Sequence, residues 1–349
     1  MPCQKQQHPT KLNFPLQPKY CVPHVGVIIN PNSRGNRSSS NRVMRMQRAI
    51  GPHGSVCVTA NVAELAAVLR QWLDMPVSHL FADGGDGTLH WVIRTCAELL
   101  SERHGAEWHA HLPILVAGSS GTINFAADYL NTSQSSVKTL RRLRTDFETQ
   151  QPGSSRSLQL MEVAFKQRSG ETIRCHAFVI GIGGIAGNFF AQYYEQPKPS
   201  LATALRIIVH AVVSLPLSSR RLDRLLQPTR ARVIVDDDLQ SQRAFNSIHA
   251  ATIPINLKML KLFSLAGTSG GIQLLLGSAT RRDVYRNIFS MIKGKALSAL
   301  MLNVITVKKF SVDVQEQDGC LIVIDGEIIE NVIEATIRLG PSLRFAVGD

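Results

Sequence analysis

The chain has 349 residues, of which 44% are apolar and 18% are charged, a balance that excludes a disordered or fibrous protein. Its length exceeds what one hydrophobic core usually serves, so two domains are expected. The formal net charge of +12 predicts an anionic partner, such as a nucleotide or an anionic membrane surface.

Composition also narrows the compartment and the class of partner. The sequence has no RNA-binding signature with clustered aromatic residues, so no nucleic-acid partner is expected. The six cysteines form no C-x-x-C pair, which argues against zinc and disulfides and favours the cytoplasm. Residues 1–22 predict a flexible leader without a secretory signal. The apolar stretch 201–217 contains Arg206, His210 and Pro216, so no transmembrane segment is expected.

The first half of the chain alternates apolar runs with segments of helical period. Strands are predicted at 25–29, 55–59, 79–82 and 112–117. Asn61 and Glu64 resemble a capping box that begins one helix, and a second helix follows Thr88. This alternation predicts an α/β domain with a parallel sheet over residues 23–150.

The pattern changes near residue 150, where Gln151–Ser155 predicts a linker. One helical stretch, 201–226, interrupts a series of predicted strands. These strands are 158–165, 173–180, 230–235, 272–276, 304–312, 321–324 and 333–339. Many strands with short turns predict an antiparallel β-sandwich domain over residues 151–349.

The strongest motif is the glycine-rich turn at 84–88, which follows a strand and begins a helix. Glycines let the backbone approach a phosphate, and a helix N-terminus offers unpaired N–H groups. Because a carboxylate repels phosphate, Asp86 in this turn indicates a magnesium ion or a proton acceptor. A tight turn with a capping residue is the structural alternative.

Two further turns follow strands of the same predicted sheet. Residues 118–126 are rich in glycine and hydroxyl side chains, and residues 30–36 are polar. Ligands of open parallel sheets collect at the carboxyl ends of strands, so these turns predict one nucleotide site together with 84–88. A capped loop and a surface turn are the respective alternatives.

Two motifs lie in the second half. Asp325-Gly326-Glu327 joins two apolar runs, where a plain Asp-Gly hairpin turn is the common structure. Residues 181–186 fit a G-x-G-x-x-A dinucleotide fingerprint, which expects an acidic residue about 20 positions later. No acid lies around Leu201, so a dinucleotide site is not expected there.

Together, these motifs resemble the diacylglycerol kinase catalytic family, which includes sphingosine kinases and bacterial lipid kinases. Residues 84–88 match its G-G-D-G-T signature unchanged, and the resemblance extends over residues 24–345. The other similar segments are 121–126 (G-T-x-N-D-F-A), 30–35 (N-P-x-S-G with one insertion), 178–183 (N-x-x-G-x-G) and 325–327 (D-G-E).

The resemblance implies an ATP-binding α/β domain, a β-sandwich domain and a cleft between them that holds the chemistry. The implied reaction transfers the γ-phosphate of ATP, with Mg²⁺, to a hydroxyl of a lipid such as diacylglycerol or a sphingoid base. Glu327 is the expected base, with Asp325 beside it and Asp86 as the alternative. The implied nucleotide-binding residues are Asn30, Thr59, Gly84, Gly85, Asp86, Gly87, Thr88, Leu89, His90, Gly121, Thr122 and Asn124.

The chain departs from the family pattern at two places. Phe125 follows Asn124 where the family has an aspartate, and Gly270-Gly271-Ile272 replaces a D-G-x-L element that binds magnesium in bacterial members. The metal ligands are therefore left unassigned. An NAD kinase-like phosphotransferase and a catalytically inactive nucleotide- or lipid-binding regulator stay open as alternatives.

A lipid acceptor requires contact with a membrane. Two basic clusters predict transient binding of a cytoplasmic protein to an anionic membrane surface at its inner face. They are Arg220, Arg221, Arg224, Arg230 and Arg232, and Arg281, Arg282, Arg286, Lys293 and Lys295. The alternative is a core helix with a solvated basic end. Formation of a homo-oligomer is left open.

Overall fold

The computed structural model describes residues 24–37, 39–121, 124–151, 153–195, 203, 206–207, 210, 220–257, 260–267, 270–283, 285–286 and 303–348. Several predictions lie outside these residues. They concern the leader 1–22, Thr122, Lys293, Lys295 and most of the helical stretch 201–226.

Four parallel strands form the first sheet, in the order β2-β1-β3-β4. Both faces are covered by helices, which is why these strands are near-continuous apolar runs. The strands are β1 (His24–Ile29), β2 (Gly54–Val58), β3 (Val77–Asp83) and β4 (Ile114–Ala117). The helices are α1 (Arg42–Ile50), α2 (Val62–Leu73), α3 (Asp86–His104), α4 (Phe125–Tyr129) and α5 (Ser136–Glu148), with 3₁₀ turns at Gly51–His53 and Gly105–His111. The predicted parallel α/β architecture is confirmed.

Local signals explain where two of these helices begin. The Asn61 side chain accepts a hydrogen bond from the N–H of Glu64 at 2.9 Å, and the Glu64 carboxylate accepts one from the N–H of Ala60. This confirms the predicted cap of α2. Helix α3 follows directly from the glycine turn, and its predicted apolar stripe from Leu89 to Leu100 is buried against the sheet.

The second half consists mainly of antiparallel strands around a second apolar core. The strands are β5 (Ser155–Gln167), β6 (Thr172–Ala177), β7 (Val179–Ile182), β8 (Thr229–Val235), β9 (Asp238–Leu239), β10 (Ala244–Phe245), β11 (Ser247–Ala251), β12 (Ile255–Leu257), β13 (Leu260–Leu262), β14 (Ile272–Gly277), β15 (Asn303–Val307), β16 (Lys309–Val314), β17 (Cys320–Ile324) and β18 (Glu327–Ala346). The helices bounded within the described residues of this half include α6 (Gly184–Tyr194) and α7 (Arg220–Leu225). Within the described ranges, no helix combines the length and apolar character needed to cross a bilayer.

Strand β18 connects the two halves. Its first part pairs with β17, its middle pairs with β5 and β16, and Phe345 near its end pairs in parallel with Leu115 of β4. One sheet of 16 strands results. The chain therefore returns to the first sheet at its end, which a single division at residue 150 does not anticipate.

Two predicted strands are divided in the structure. The prediction 173–180 is interrupted at Phe178, whose N–H donates to the Asp325 carboxylate instead of to a neighbouring strand. The prediction 304–312 is interrupted at Lys308, whose N–H donates to the Asp236 carboxylate. Side chains thus replace the ladder partners at both positions.

Candidate active site

Three turns meet at the carboxyl ends of β1, β3 and β4. The strand order reverses direction between β1 and β3, and such a switch point is where open α/β sheets bind ligands. The N–H of Gly35 donates to the carbonyl of Ser120 at 2.8 Å, and the N–H of Ser120 donates to the carbonyl of Gly84 at 2.8 Å. The turns after the three strands are therefore joined through their backbones.

Side chains strengthen the joint across the switch point. The Asn30 amide donates to the Thr88 hydroxyl at 2.9 Å, and the Ser33 hydroxyl lies 3.5 Å from the same oxygen. A Cβ on Gly84 would overlap Thr88, so glycine is required there by packing. Thr59 is buried at the same edge, and its N–H donates to the carbonyl of Ile29. Asn30, Thr59 and Thr88 thus lie at the same edge of the sheet, and their contact with a nucleotide stays a prediction.

The two glycine-rich turns touch each other. A Cβ on Gly121 would overlap the Cα of Gly85, and a Cβ on Gly85 would lie 2.8 Å from the Cα of Gly121. Asn124 adopts a left-handed conformation, with φ of 64°, and its side-chain oxygen accepts the N–H of Gly121 at 2.8 Å. This close approach requires glycine at both positions, independently of any phosphate.

Asp86 links the second turn to the third. Its carboxylate accepts hydrogen bonds from the N–H groups of Phe125 at 3.1 Å and Ala126 at 3.2 Å, at the start of α4. Burial raises the pKa of Asp86 to about 7, although these backbone donors oppose the rise and the charge of Asp325 adds to it. Asp86 therefore joins the second turn to the start of α4, and two backbone N–H groups already occupy part of its hydrogen-bonding capacity.

The Asp-Gly turn between β17 and β18 is a hairpin, with positive φ at both Asp325 and Gly326. Its Asp325 side chain is nevertheless directed inward, and it is 4% exposed. The carboxylate accepts the N–H groups of Phe178 at 3.1 Å and Val179 at 2.9 Å, and it lies 3.3 Å from Nδ1 of His90. Asp325 thus fixes the start of β7 and contacts α3.

Glu327 follows this hairpin and faces the nucleotide turn. Its Oε1 lies 2.6 Å from the point that a Cβ on Gly87 would occupy. A side chain at position 87 would displace the carboxylate from this place. The prediction that Glu327 points toward residues 84–88 is confirmed, although about 240 residues separate them.

Two of the predicted nucleotide-binding side chains point away from the turn surface. Leu89 is 4% exposed and packs in the first core, because it occupies the apolar stripe of α3. His90 is buried against Asp325. Both side chains are therefore part of the packed interior. Only the backbone atoms of these two residues could contact a nucleotide.

The sequence analysis missed Asp83, the residue just before the glycine turn. It is fully buried and accepts hydrogen bonds from Arg42 at 2.6 and 2.9 Å, Ser120 at 2.8 Å and Ser136 at 2.7 Å. Its carbonyl also accepts the side-chain amide of Asn36 at 3.0 Å. Asp83 thus joins the third turn through its carboxylate and the first turn through its carbonyl. The signal for it was a charged residue at the end of an apolar strand.

The glycine turn at residues 181–186 is closely packed. Gly183 and Gly184 have positive φ and connect β7 to α6. A Cβ on Gly183 would overlap Thr229, and one on Gly184 would overlap the backbone of Asn246. Backbone conformation and packing therefore explain both glycines, without a ligand.

Residues 24–152, which include all three turns, match the family model "Diacylglycerol kinase catalytic domain". This part of the chain is therefore similar to catalytic domains of the diacylglycerol kinase type. No curated protein matches the chain significantly.

Solved structures extend the likeness beyond this domain. A proposed diacylglycerol kinase of Bacillus anthracis has a TM-score of 0.64 at 12% identity, covering 95% of this chain and 99% of its own. Another diacylglycerol kinase structure of that organism has a TM-score of 0.60 at 11% identity, with 95% and 98% covered. Yeast NADH kinase with NADH has a TM-score of 0.52 at 11% identity, with 94% and 84% covered. These likenesses show that the chain has the same two-part fold as these proteins, with parallel N-terminal strands and antiparallel C-terminal strands.

Within the part of the chain that the structure describes, no three His, Cys, Asp or Glu side chains group into a metal cage. Magnesium that arrives with a nucleotide needs only one or two protein carboxylates and retains water ligands. Asp86 lies in the nucleotide turn and Glu327 faces it, so the donor set fits nucleotide-bound magnesium.

Proposed function

We propose that the chain is an ATP-dependent lipid kinase, which transfers the γ-phosphoryl group of ATP to a hydroxyl of a lipid such as diacylglycerol or a sphingoid base. One observation carries the proposal: Glu327, from the second half of the chain, faces Gly87 in the G-G-D-G-T turn of the first half. A carboxylate at this place can receive the proton of an acceptor hydroxyl beside the phosphates.

The nucleotide turn supplies the phosphate contacts. Asp86 and Gly87 are the first residues of α3, so their N–H groups have no acceptor within the helix. They point toward the carboxyl edge of the sheet, where the positive end of the helix dipole also favours an anion. Magnesium, when bound with the nucleotide, would supply further charge neutralisation, and Asp86 in this turn is the carboxylate placed to hold it.

Glu327 is the better-placed base. The lipid hydroxyl oxygen forms a bond to the γ-phosphorus, the bond from that phosphorus to the β,γ-bridging oxygen breaks, and the hydroxyl proton passes to the Glu327 carboxylate. Asp86 is held by two backbone N–H groups at the start of α4, and Asp325 is held by two others and by His90. These contacts favour positioning roles for the two aspartates.

A basic groove supports docking at an anionic membrane surface. Arg220 and Arg224 on α7 and Arg281 beside it line one cavity. Arg224 pairs with Glu195 and Arg281 with Asp223, so part of the charge is already neutralised. The exposed Arg220 is placed to meet anionic headgroups, at about 1 kcal/mol per well-placed cation.

Phosphorylation of a soluble dinucleotide is the second candidate, because the fold is also that of yeast NADH kinase. The diacylglycerol kinase match in residues 24–152 favours the lipid acceptor. A regulator without turnover is the third, because Phe125 and Gly270 depart from the family pattern.

A kinase assay with several acceptors tests these functions. The chain is incubated with MgATP and either diacylglycerol, a sphingoid base, NAD or NADH, and products are identified by mass spectrometry. A phosphorylated lipid is expected. If only NAD or NADH is phosphorylated, the proposal of a lipid acceptor is wrong. If ATP binds and no acceptor is phosphorylated, the proposal of kinase activity is wrong. Glu327→Gln serves as the control for contaminating kinases.

A further inference from the structure

We propose that Arg34 is a phosphate-binding residue of this site and supplies the positive charge that faces the terminal phosphates of ATP. Because it concerns the phosphates of ATP, this role of Arg34 rests on the proposed function. It adds a residue that the resemblance to the family does not provide, since Arg34 occupies the one position inserted into the N-P-x-S-G element.

The position of Arg34 is fixed by its two neighbours. The Ser33 hydroxyl lies 3.5 Å from the Thr88 hydroxyl in the second turn, and the Gly35 N–H donates to the carbonyl of Ser120 in the third turn. A Cβ on Gly35 would lie 3.2 Å from the Cα of Ser120, so this turn is packed against the third one. Arg34 therefore projects from the point where all three turns meet, and its side chain is exposed.

The other arginines near these turns are engaged. Arg42 makes a two-point ion pair with the buried Asp83 and also donates to Ser120. Arg37 turns back onto its own loop, where its Nε donates to the carbonyl of Asn32 at 2.8 Å. Among the described residues, no hydrogen bond or ion pair occupies the guanidinium of Arg34.

The local charge balance calls for such a cation. Asp86 and Glu327 add carboxylates beside the nucleotide turn, and the charge of Arg42 is balanced by Asp83. A triphosphate approaching this edge therefore needs a free positive charge in addition to magnesium. A guanidinium matches phosphate oxygens with paired N–H donors, which makes an exposed arginine the suitable residue type.

Arg34 also reaches toward the second half of the chain. Burial raises the pKa of Tyr193 on α6, and the positive charge of Arg34 opposes that rise. Tyr193 stacks on Phe189 in the same helix. The charge of Arg34 is therefore close enough to α6 to act on Tyr193.

Calorimetric titration of Arg34→Ala with MgATP, MgADP and AMP tests this role. Loss of a charge-assisted hydrogen bond is expected to weaken ATP binding by about 10- to 100-fold. ADP binding should weaken less, and AMP binding should stay unchanged. Arg34→Lys should recover part of the ATP affinity, because it keeps the charge and loses the paired donors. Arg70→Ala, at an exposed position of α2 outside the three turns, is the control and should bind ATP like the wild type.

The outcomes separate this inference from the proposed function. A wild-type chain that binds no ATP would overturn both. If the wild type phosphorylates its acceptor and Arg34→Ala retains full ATP affinity, only the role of Arg34 is overturned. An equal loss of ATP and AMP affinity would also overturn it, since this would indicate a distorted turn.

Discussion

Nδ1 of His90 lies 3.3 Å from the carboxylate of Asp325, although 235 residues separate them. His90 belongs to the second turn of α3 and Asp325 to the hairpin that carries Glu327. Both side chains are buried. The contact joins α3, which begins in the nucleotide turn, to the hairpin that contains Glu327. It therefore helps to fix the distance between the turn and Glu327.

Replacement of Asp325 tests this contact. Asp325→Ala leaves the buried N–H groups of Phe178 and Val179 without their acceptor and His90 without its partner. The free energy of unfolding in urea should fall by about 2–5 kcal/mol. Asp318→Ala, whose side chain is 96% exposed, is the control and should change stability little. Equal stability of the two variants would show that the Asp325 contacts contribute nothing.

The sequence predicted those parts of the site whose signals are local. A buried apolar run that ends in glycines identified β3 and the turn at residues 84–88 without any knowledge of the fold. The order of the motifs also placed Glu327 in the site, through the family resemblance. Asp83 could not be found in this way, because its side-chain partners Arg42, Ser120 and Ser136 lie 41, 37 and 53 positions away.

The extent of β18 was also beyond local signals. Gly340 and Pro341 mark the end of a strand by composition, and the predicted strand therefore stopped at Leu339. In the structure, the pairing with β5 shifts register between Leu339 and Ser342 and then continues to Ala346. Gly340 and Pro341 lie in this irregularity, and the strand continues beyond them. The continuation is seen only from the pairing of β18 with β4 and β5.

The raised pKa of Asp86 predicts a pH dependence of stability. Between its ordinary value of 3.8 and about 7, the folded chain keeps a proton that the unfolded chain releases. Stability should therefore fall as pH rises through this window. Asp86→Asn should lack this part of the decline, which is measured as the difference between the two unfolding free energies from pH 4 to 8. A constant difference across that range would contradict the raised pKa.

The contact between the two glycine turns predicts sensitivity at Gly121. In Gly121→Ala the new methyl overlaps the backbone of Gly85, so the third turn must move away from the second. ATP affinity should fall at least about tenfold, and overpacking should cost about 1–3 kcal/mol of stability. Gly187→Ala is the control, because its Cβ would meet Leu321 at an ordinary 3.5 Å. Calorimetric titration measures the ATP affinity, and urea unfolding measures the stability. Unchanged ATP affinity in Gly121→Ala would contradict a nucleotide site that depends on the contact between Gly85 and Gly121.

Membrane docking predicts an effect of charge reversal in the basic groove. Arg220→Glu combined with Arg224→Glu should weaken binding to vesicles of phosphatidylserine and phosphatidylcholine, and the difference should shrink in high salt. Activity on detergent-dispersed lipid should survive. Lys166→Glu combined with Arg174→Glu, at exposed positions of β5 and β6, makes the same change in net charge and serves as the control. Equal vesicle binding by both double variants would place the membrane contact elsewhere.

The role of Glu327 is tested most directly by Glu327→Gln, which keeps the shape of the side chain and removes the base. Turnover should fall by about 10²–10⁴-fold, the usual contribution of a positioned proton acceptor. ATP affinity should change little, because the proposed phosphate contacts come from the backbone of the turn and glutamine keeps the shape of the side chain. Glu330→Gln, at an exposed position of the same strand, is the control and should retain full activity. If Glu327→Gln turns over like the control while Asp86→Asn does not, the proton acceptor is Asp86 and the base has been assigned to the wrong carboxylate.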